Sequence, residues 1–241
     1  MKEIIGVGLV NNLRRLKVVK SLSIYNVNKF EFVESVSLPD SSGSIAPVGK
    51  SLTINRDTVL PFTCTYNIII NEDILAKDMK NGTYIPTESY KKSNTFSGFF
   101  DETRNLLLLM APAAVSKNFI KELENNYPNK IDKLSTYTFD FHNIHSFERG
   151  ARGIYFNVDD DTDIDTKHFF GNGVQENVEV QDAIDNDKAT YLMAKIDVDN
   201  KERTIGFSRK GTLVIYSKPN DDSDQGYLQL ALDTLLALSQ Q

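Results

Sequence analysis

The residues of this chain that could do chemistry are three histidines and a run of aspartates. His142 and His145 stand at H-x-x-H spacing just after Asp140, and His168 follows Asp161, Asp163 and Asp165. Imidazole and carboxylate together ligate zinc and other divalent ions, and such a centre would serve metal-dependent phosphodiester hydrolysis. Alternating carboxylates also resemble a calcium loop. An EF-hand needs glycine at its sixth position and a bidentate glutamate at its twelfth. Counted from Asp161 those positions are Thr166 and Asn172, and counted from Asp159 they are Ile164 and Phe170. The stretch FNVDDDTDIDTKHFFGNG therefore reads as a solvated loop whose aromatic ends, Phe156 and Phe169–Phe170, anchor it to the core. Weak binding of a divalent cation is the chemistry left to it, and no other cofactor is expected. The H-E-x-x-H and G-x-S-x-G motifs of zinc and serine hydrolases are absent. GVGLVNN near the start lacks the third glycine and the lysine of a phosphate loop. Cys64, the single cysteine, sits in the apolar run PFTCTYNIII and reads as a small buried hydrophobe.

A second set of candidates is basic. Arg14, Arg15, Lys17 and Lys20 lie close together, Arg209 and Lys210 mark a hairpin tip with Arg203 nearby, and Lys91 and Lys92 follow Tyr90. With Tyr90, Phe207 and Tyr216 as stacking surfaces, these could hold a nucleic acid if they shared a face. The overall charge opposes this. The chain carries −6, of which residues 1–154 hold +3 and residues 155–241 hold −9. So uneven a distribution points to parts that meet different partners, or each other.

These residues need a scaffold, and the sequence outlines one. With 241 residues, 40% hydrophobic and 25% charged, the chain can bury a core without disulfides or structural zinc. LKVVKSLSIYNV, KFEFVESVSL and PFTCTYNIII read as strands, separated by a Ser/Gly/Pro-rich linker at residues 40–51. NEDILAKDMKNG reads as a short helix, with Asn71 as cap and Gly82 as terminator. NTFSGFFDETRNLLLLMA reads as a hairpin turning at Asp101–Arg104, its four leucines buried on both faces. PAAVSKNFIKELENNYP is a helix burying Val115, Phe119, Ile120 and Leu123. STYTFDFHNI and RGIYFNV are expected strands, and TYLMAKIDVD, RTIGFS and GTLVIYS form a meander. DQGYLQLALDTLLALSQQ closes as an amphipathic helix with an apolar stripe.

The expected class is α+β: mostly antiparallel sheet with a few helices packed on one side. Two parts are expected, 1–135 and the acidic 136–241, or one continuous domain. LLLLMAPAAV is half the length a membrane span needs, and no secretory signal is evident, so a cytoplasmic protein is expected. The functional expectation is a non-enzymatic binding or scaffold protein, acting through a protein partner or through self-association by the C-terminal helix. A nucleic-acid-binding module and a metal-dependent hydrolase are the alternatives. The Asn-, Lys- and Ile-heavy composition suggests a microbial or mobile-element source, where an accessory role in phage defence would fit.

Overall fold

The computed structural model describes residues 19–147, 150–158 and 165–239. The chain begins with β1 (Lys20–Asn26), β2 (Val36–Ser37), β3 (Gly43–Pro47), β4 (Leu52–Ile54), β5 (Asp57–Lys77), β6 (Tyr84–Asp101) and β7 (Leu106–Leu109). Helix α1 (Ala113–Asn126), β8 (Ser135–Thr136), α2 (Phe141–Phe147), β9 (Ala151–Asn157) and β10 (Thr166–Phe170) follow. The rest is α3 (Val178–Asp185), β11 (Ala189–Val198), β12 (Lys201–Ser208), β13 (Thr212–Ile215) and α4 (Asp224–Ser239). Among the described residues the strands make one antiparallel sheet ordered β10-β9-β11-β12-β13-β1-β7-β6-β5-β3-β2, with β4 on β5 and β8 on β1. The fold is α+β, mostly sheet.

The sheet runs through both parts of the sequence because β1 lies at its middle, paired with β13 on one side and β7 on the other. Its two faces carry two apolar clusters. Leu106 and Leu108 point into one with Leu22 and Ile24, while Leu107 and Leu109 point into the other with Tyr25. The four-leucine strand is thus buried on both faces, as its lack of alternation implies. Such a strand needs cover on each side, and the helices divide accordingly instead of sharing the one side expected. Val115, Phe119, Ile120 and Leu123 of α1 close one face. Tyr227, Leu228, Ala231, Leu232 and Leu235 of α4 close the other, with help from α2 and α3.

The sequence misleads at several places: the strand expected at 29–38 is reduced to β2, and β10 forms within the stretch read as a solvated loop. Residues 71–82 do not form a helix. β5 runs on to Lys77, paired with β6 from Tyr84, and Gly82, at φ 69°, ends the hairpin turn instead. Pairing with a partner strand overrides the helical propensity of EDILAKD. The linker expected at 40–51 contains β3, hydrogen-bonded to β5 from Gly43 to Pro47. The strand expected at 135–144 survives only as β8, and α2 takes the place of its second half. Asp140 starts that helix, its Oδ1 accepting from the N–H groups of His142 (2.9 Å) and Asn143 (3.2 Å).

One ion cluster sits under the β6–β7 turn. Asp101 is fully buried, and its Oδ1 accepts from the backbone N–H groups of Thr103 and Arg104. The Arg104 guanidinium lies 2.5 Å from Asp57 and 3.6 Å from Asp101, and donates to the Leu232 carbonyl of α4 at 3.4 Å. The cluster fastens two turns of the sheet to the C-terminal helix.

Candidate functional site

The structure does not gather the expected metal ligands. Asp140 is engaged as the cap of α2. His142 is half exposed on α2, its Nδ1 4.0 Å from Asp185 of α3. His168 sits on β10 with its ring 4.3 Å from that of Tyr155. Asp165 is exposed at the start of β10, its carbonyl accepting from Val158 N–H. Asp161 and Asp163 lie outside the described residues, as does the side chain of His145. Among the described residues no three His, Cys, Asp or Glu side chains are grouped to hold a metal ion. Of the two aromatic anchors, Phe156 is buried and stacks on Phe169, but Phe170 is 60% exposed. Burial pushes the Cys64 thiol up to about 12, which leaves it unreactive at neutral pH.

Among the described residues the basic candidates are dispersed, and Lys20, Arg203 and Arg209 are committed to internal partners. Arg14, Arg15 and Lys17 lie outside the described residues. Lys20 pairs with Asp224 of α4 at 3.1 Å. Arg203 is buried and donates to the Lys218 carbonyl and to Asn220. Arg209 pairs with Asp187, donates to the Ala189 carbonyl and lies over the Phe141 ring. Lys210 is exposed at the β12–β13 turn. Phe207, offered as a stacking surface, is fully buried.

A polar cleft of about 280 Å³ opens where the β11–β12 turn meets α4, lined by Asp199, Arg203, Asn220, Gln229 and Asp233. Asp233 is buried there and accepts from Asn55 and Gln229. Burial holds its carboxyl above the usual carboxylate range and Asp199 adds to this, while the two amide hydrogen bonds oppose it. The arrangement ties α4 to the β4–β5 turn. The folded state binds this proton more tightly than the unfolded one. The stabilisation it gives is full below the ordinary value near 3.8 and is lost as pH rises through the folded value. Asp233→Asn keeps an oxygen for both amides, so it should raise the melting temperature by a few degrees near neutral pH and change little in acid. Thermal melts at both pH values check this; an equal effect in both would contradict it.

The feature that stands out from the body is the β5–β6 ribbon. β3 pairs with β5 only as far as Tyr66, and β7 with β6 only from Gly98. Beyond those points the strands pair with each other alone, out to a turn at Asp78–Gly82 in which Asp78 accepts from Lys80 N–H and Asn81. At about 3.3 Å per residue the free ribbon reaches some 35 Å. Beside its charged residues it exposes large apolar side chains. Ile69 is 62% exposed, Leu75 67% and Tyr84 64%, with Ile85 and Met79 also exposed. Strand alternation sorts these side chains onto two faces. Tyr66, Ile68, Ile70, Leu75, Tyr84 and Tyr90 share the face of α1, and Ile69, Ile74 and Ile85 share the other. The first face continues the inner cluster outward, since Tyr66 packs edge-on against Phe119 of α1 and Ile68 borders the same cluster.

The helical reading of 71–82 hid this ribbon. The signal that could have found it is the long stretch from Tyr84 to Asp101, whose only length-matched partner is residues 57–77. No protein-family model matches the chain, and the search of curated proteins found no match either.

Proposed function

We propose that the chain is a non-enzymatic binding protein that works through protein contact, its own copies included, made by the projecting β5–β6 ribbon. The observation that carries this reading is the set of exposed apolar side chains on the two-stranded ribbon, Leu75 and Tyr84 on one face and Ile69 and Ile85 on the other. A two-stranded ribbon is marginal in water by itself, and large apolar side chains left exposed on both of its faces favour cover by a partner. Lys20, Arg203 and Arg209 are dispersed and held by internal partners, which favours protein over nucleic acid as the partner. Self-association through α4 is the less favoured route, because its stripe packs on its own sheet.

A shortened chain tests this, with Asn-Gly joining Ile68 directly to Lys92, a pair already in register. The body should melt as before. Chemical cross-linking of the intact chain in an extract of producing cells should place adducts within residues 67–93, and the shortened chain should lose them. Adducts spread over the whole surface, or unchanged by shortening, would count against the reading.

A further inference from the structure

We infer that the cleft beside α4 binds a free α-amino acid, with its carboxylate on Arg203 and its ammonium between Asp199 and Asp233; this is a second site, independent of the ribbon. The charges of the cleft carry the inference. Arg203 of β12 and Asp233 of α4 both line it, and they are only 9% and 8% exposed. Ions buried to this extent are as a rule paired or bound to a metal, because taking them out of water is costly. These two are not. Arg203 donates to two neutral oxygens, the Lys218 carbonyl at 2.7 Å and Asn220 Oδ1 at 3.4 Å, and its Nε has no acceptor among the described residues. Asp233 Oδ1 accepts from two neutral amides, those of Asn55 and Gln229. Among the described residues neither ion is paired with an opposite charge. A cation and an anion thus line one cavity, each held by neutral groups, and a ligand bearing both charges would complete both.

The class of ligand follows from the two ends of the cleft. A guanidinium takes a carboxylate through a fork of two N–H groups. At the other end Asp199, exposed in the β11–β12 turn, lies within hydrogen-bonding reach of Asp233. Two carboxylates so close repel unless a proton or a cation lies between them, and an ammonium, with three donors, fits that place. A free anion would be opposed by Asp199, Asp221 and Asp233, which all line the cleft. A metal ion fits less well, since among the described residues no three His, Cys, Asp or Glu side chains are grouped to hold one. At about 280 Å³ the cleft is smaller than a drug-sized pocket, so the ligand is small. An α-amino acid is small and carries its ammonium and carboxylate on one carbon. The inference also accounts for Asp233 itself. Its carboxylate weakens the free fold near neutral pH, and such a group makes sense where a ligand completes it.

Thermal melts of the purified full chain at neutral pH test this, with each of the common L-α-amino acids at millimolar concentration and with acetate and methylammonium as half-ligands. At least one amino acid should raise the melting temperature by about 3–5 °C at ten times its dissociation constant, and neither half-ligand should do so. Asp233→Asn should melt higher than the wild type and lose that response, a combination that a purely structural role would not produce. Asp199→Asn, at an exposed turn position, should fold normally and bind about tenfold more weakly. Arg203→Lys keeps the charge without the fork and should also bind about tenfold more weakly. No response to any amino acid overturns the inference. A response to acetate or methylammonium as large as that to an amino acid makes the cleft a plain anion or cation site and overturns the ligand class. A response that survives in both Asp233→Asn and Asp199→Asn places the ligand elsewhere and overturns the site.

Discussion

Leu108→Ala should destabilise the fold by about 3–5 kcal/mol, and Leu107→Ala by a similar amount. Both side chains are fully buried, on opposite faces of a strand at the middle of the sheet. Large-to-small changes at such sites lose the burial of the removed atoms and leave a cavity that a close-packed core relaxes only in part. The two variants should differ in where the damage shows. Leu107 packs with Phe119 and Leu123 of α1, Leu108 with the cluster that α4 closes. Hydrogen exchange should therefore quicken first in α1 for Leu107→Ala and first in α4 for Leu108→Ala. Denaturant melts giving less than about 1 kcal/mol for either would contradict the double burial of β7.

The second large effect is electrostatic. Arg104→Ala should cost about 3 kcal/mol at neutral pH, because it leaves the buried Asp101 carboxylate without its guanidinium. The Asp101 Oδ2 has no hydrogen bond among the described residues and relies on that charge at 3.6 Å. Burial already pushes the Asp101 carboxyl above its ordinary range and Asp57 adds to it, while Arg104 and the turn N–H groups pull it down. Removing the guanidinium raises it further. The penalty should thus shrink as pH falls and the carboxyl takes up a proton. A loss that does not vary between neutral and acid pH would mean that Arg104 acts through its contact with Leu232 alone.

What the sequence reveals depends on how local the deciding interaction is. The meander of β11, β12 and β13 is legible because its alternation and its short polar turns act over a few residues. The four leucines announce a doubly buried strand, and α1 declares itself by Pro112, its spacing of Val115, Phe119, Ile120 and Leu123, and Pro128. The ribbon is different. EDILAKD has good helix formers, and only its pairing with residues 84–87, across a turn closed by Asp78 and Gly82, makes it a strand. Likewise Asp140 carries a cap signal before FHNI that strand-like alternation in STYTFDF obscures. The division of helices between two faces follows from which side of β7 each one covers, which no local pattern records.

The candidate site was less legible still. Aspartates and histidines attract attention because their chemistry is familiar. In the fold Asp140 caps a helix, His168 stacks on Tyr155, and Arg209 closes a turn against Asp187. The surface that remains is defined by what does not touch it. Exposure of Ile69, Leu75 and Tyr84 follows from the ends of β3 and β7, two strands distant in sequence from the tip.

Hydrogen exchange across residues 67–93, followed over a range of protein concentration and again in cell extract, tests the contact role of the ribbon most directly. The account predicts slow exchange at Ile68–Asn71 and Thr87–Tyr90 that deepens as the chain is concentrated or its partner added, while α4 stays unchanged. Ribbon amides that exchange at one rate under all of these conditions would contradict it.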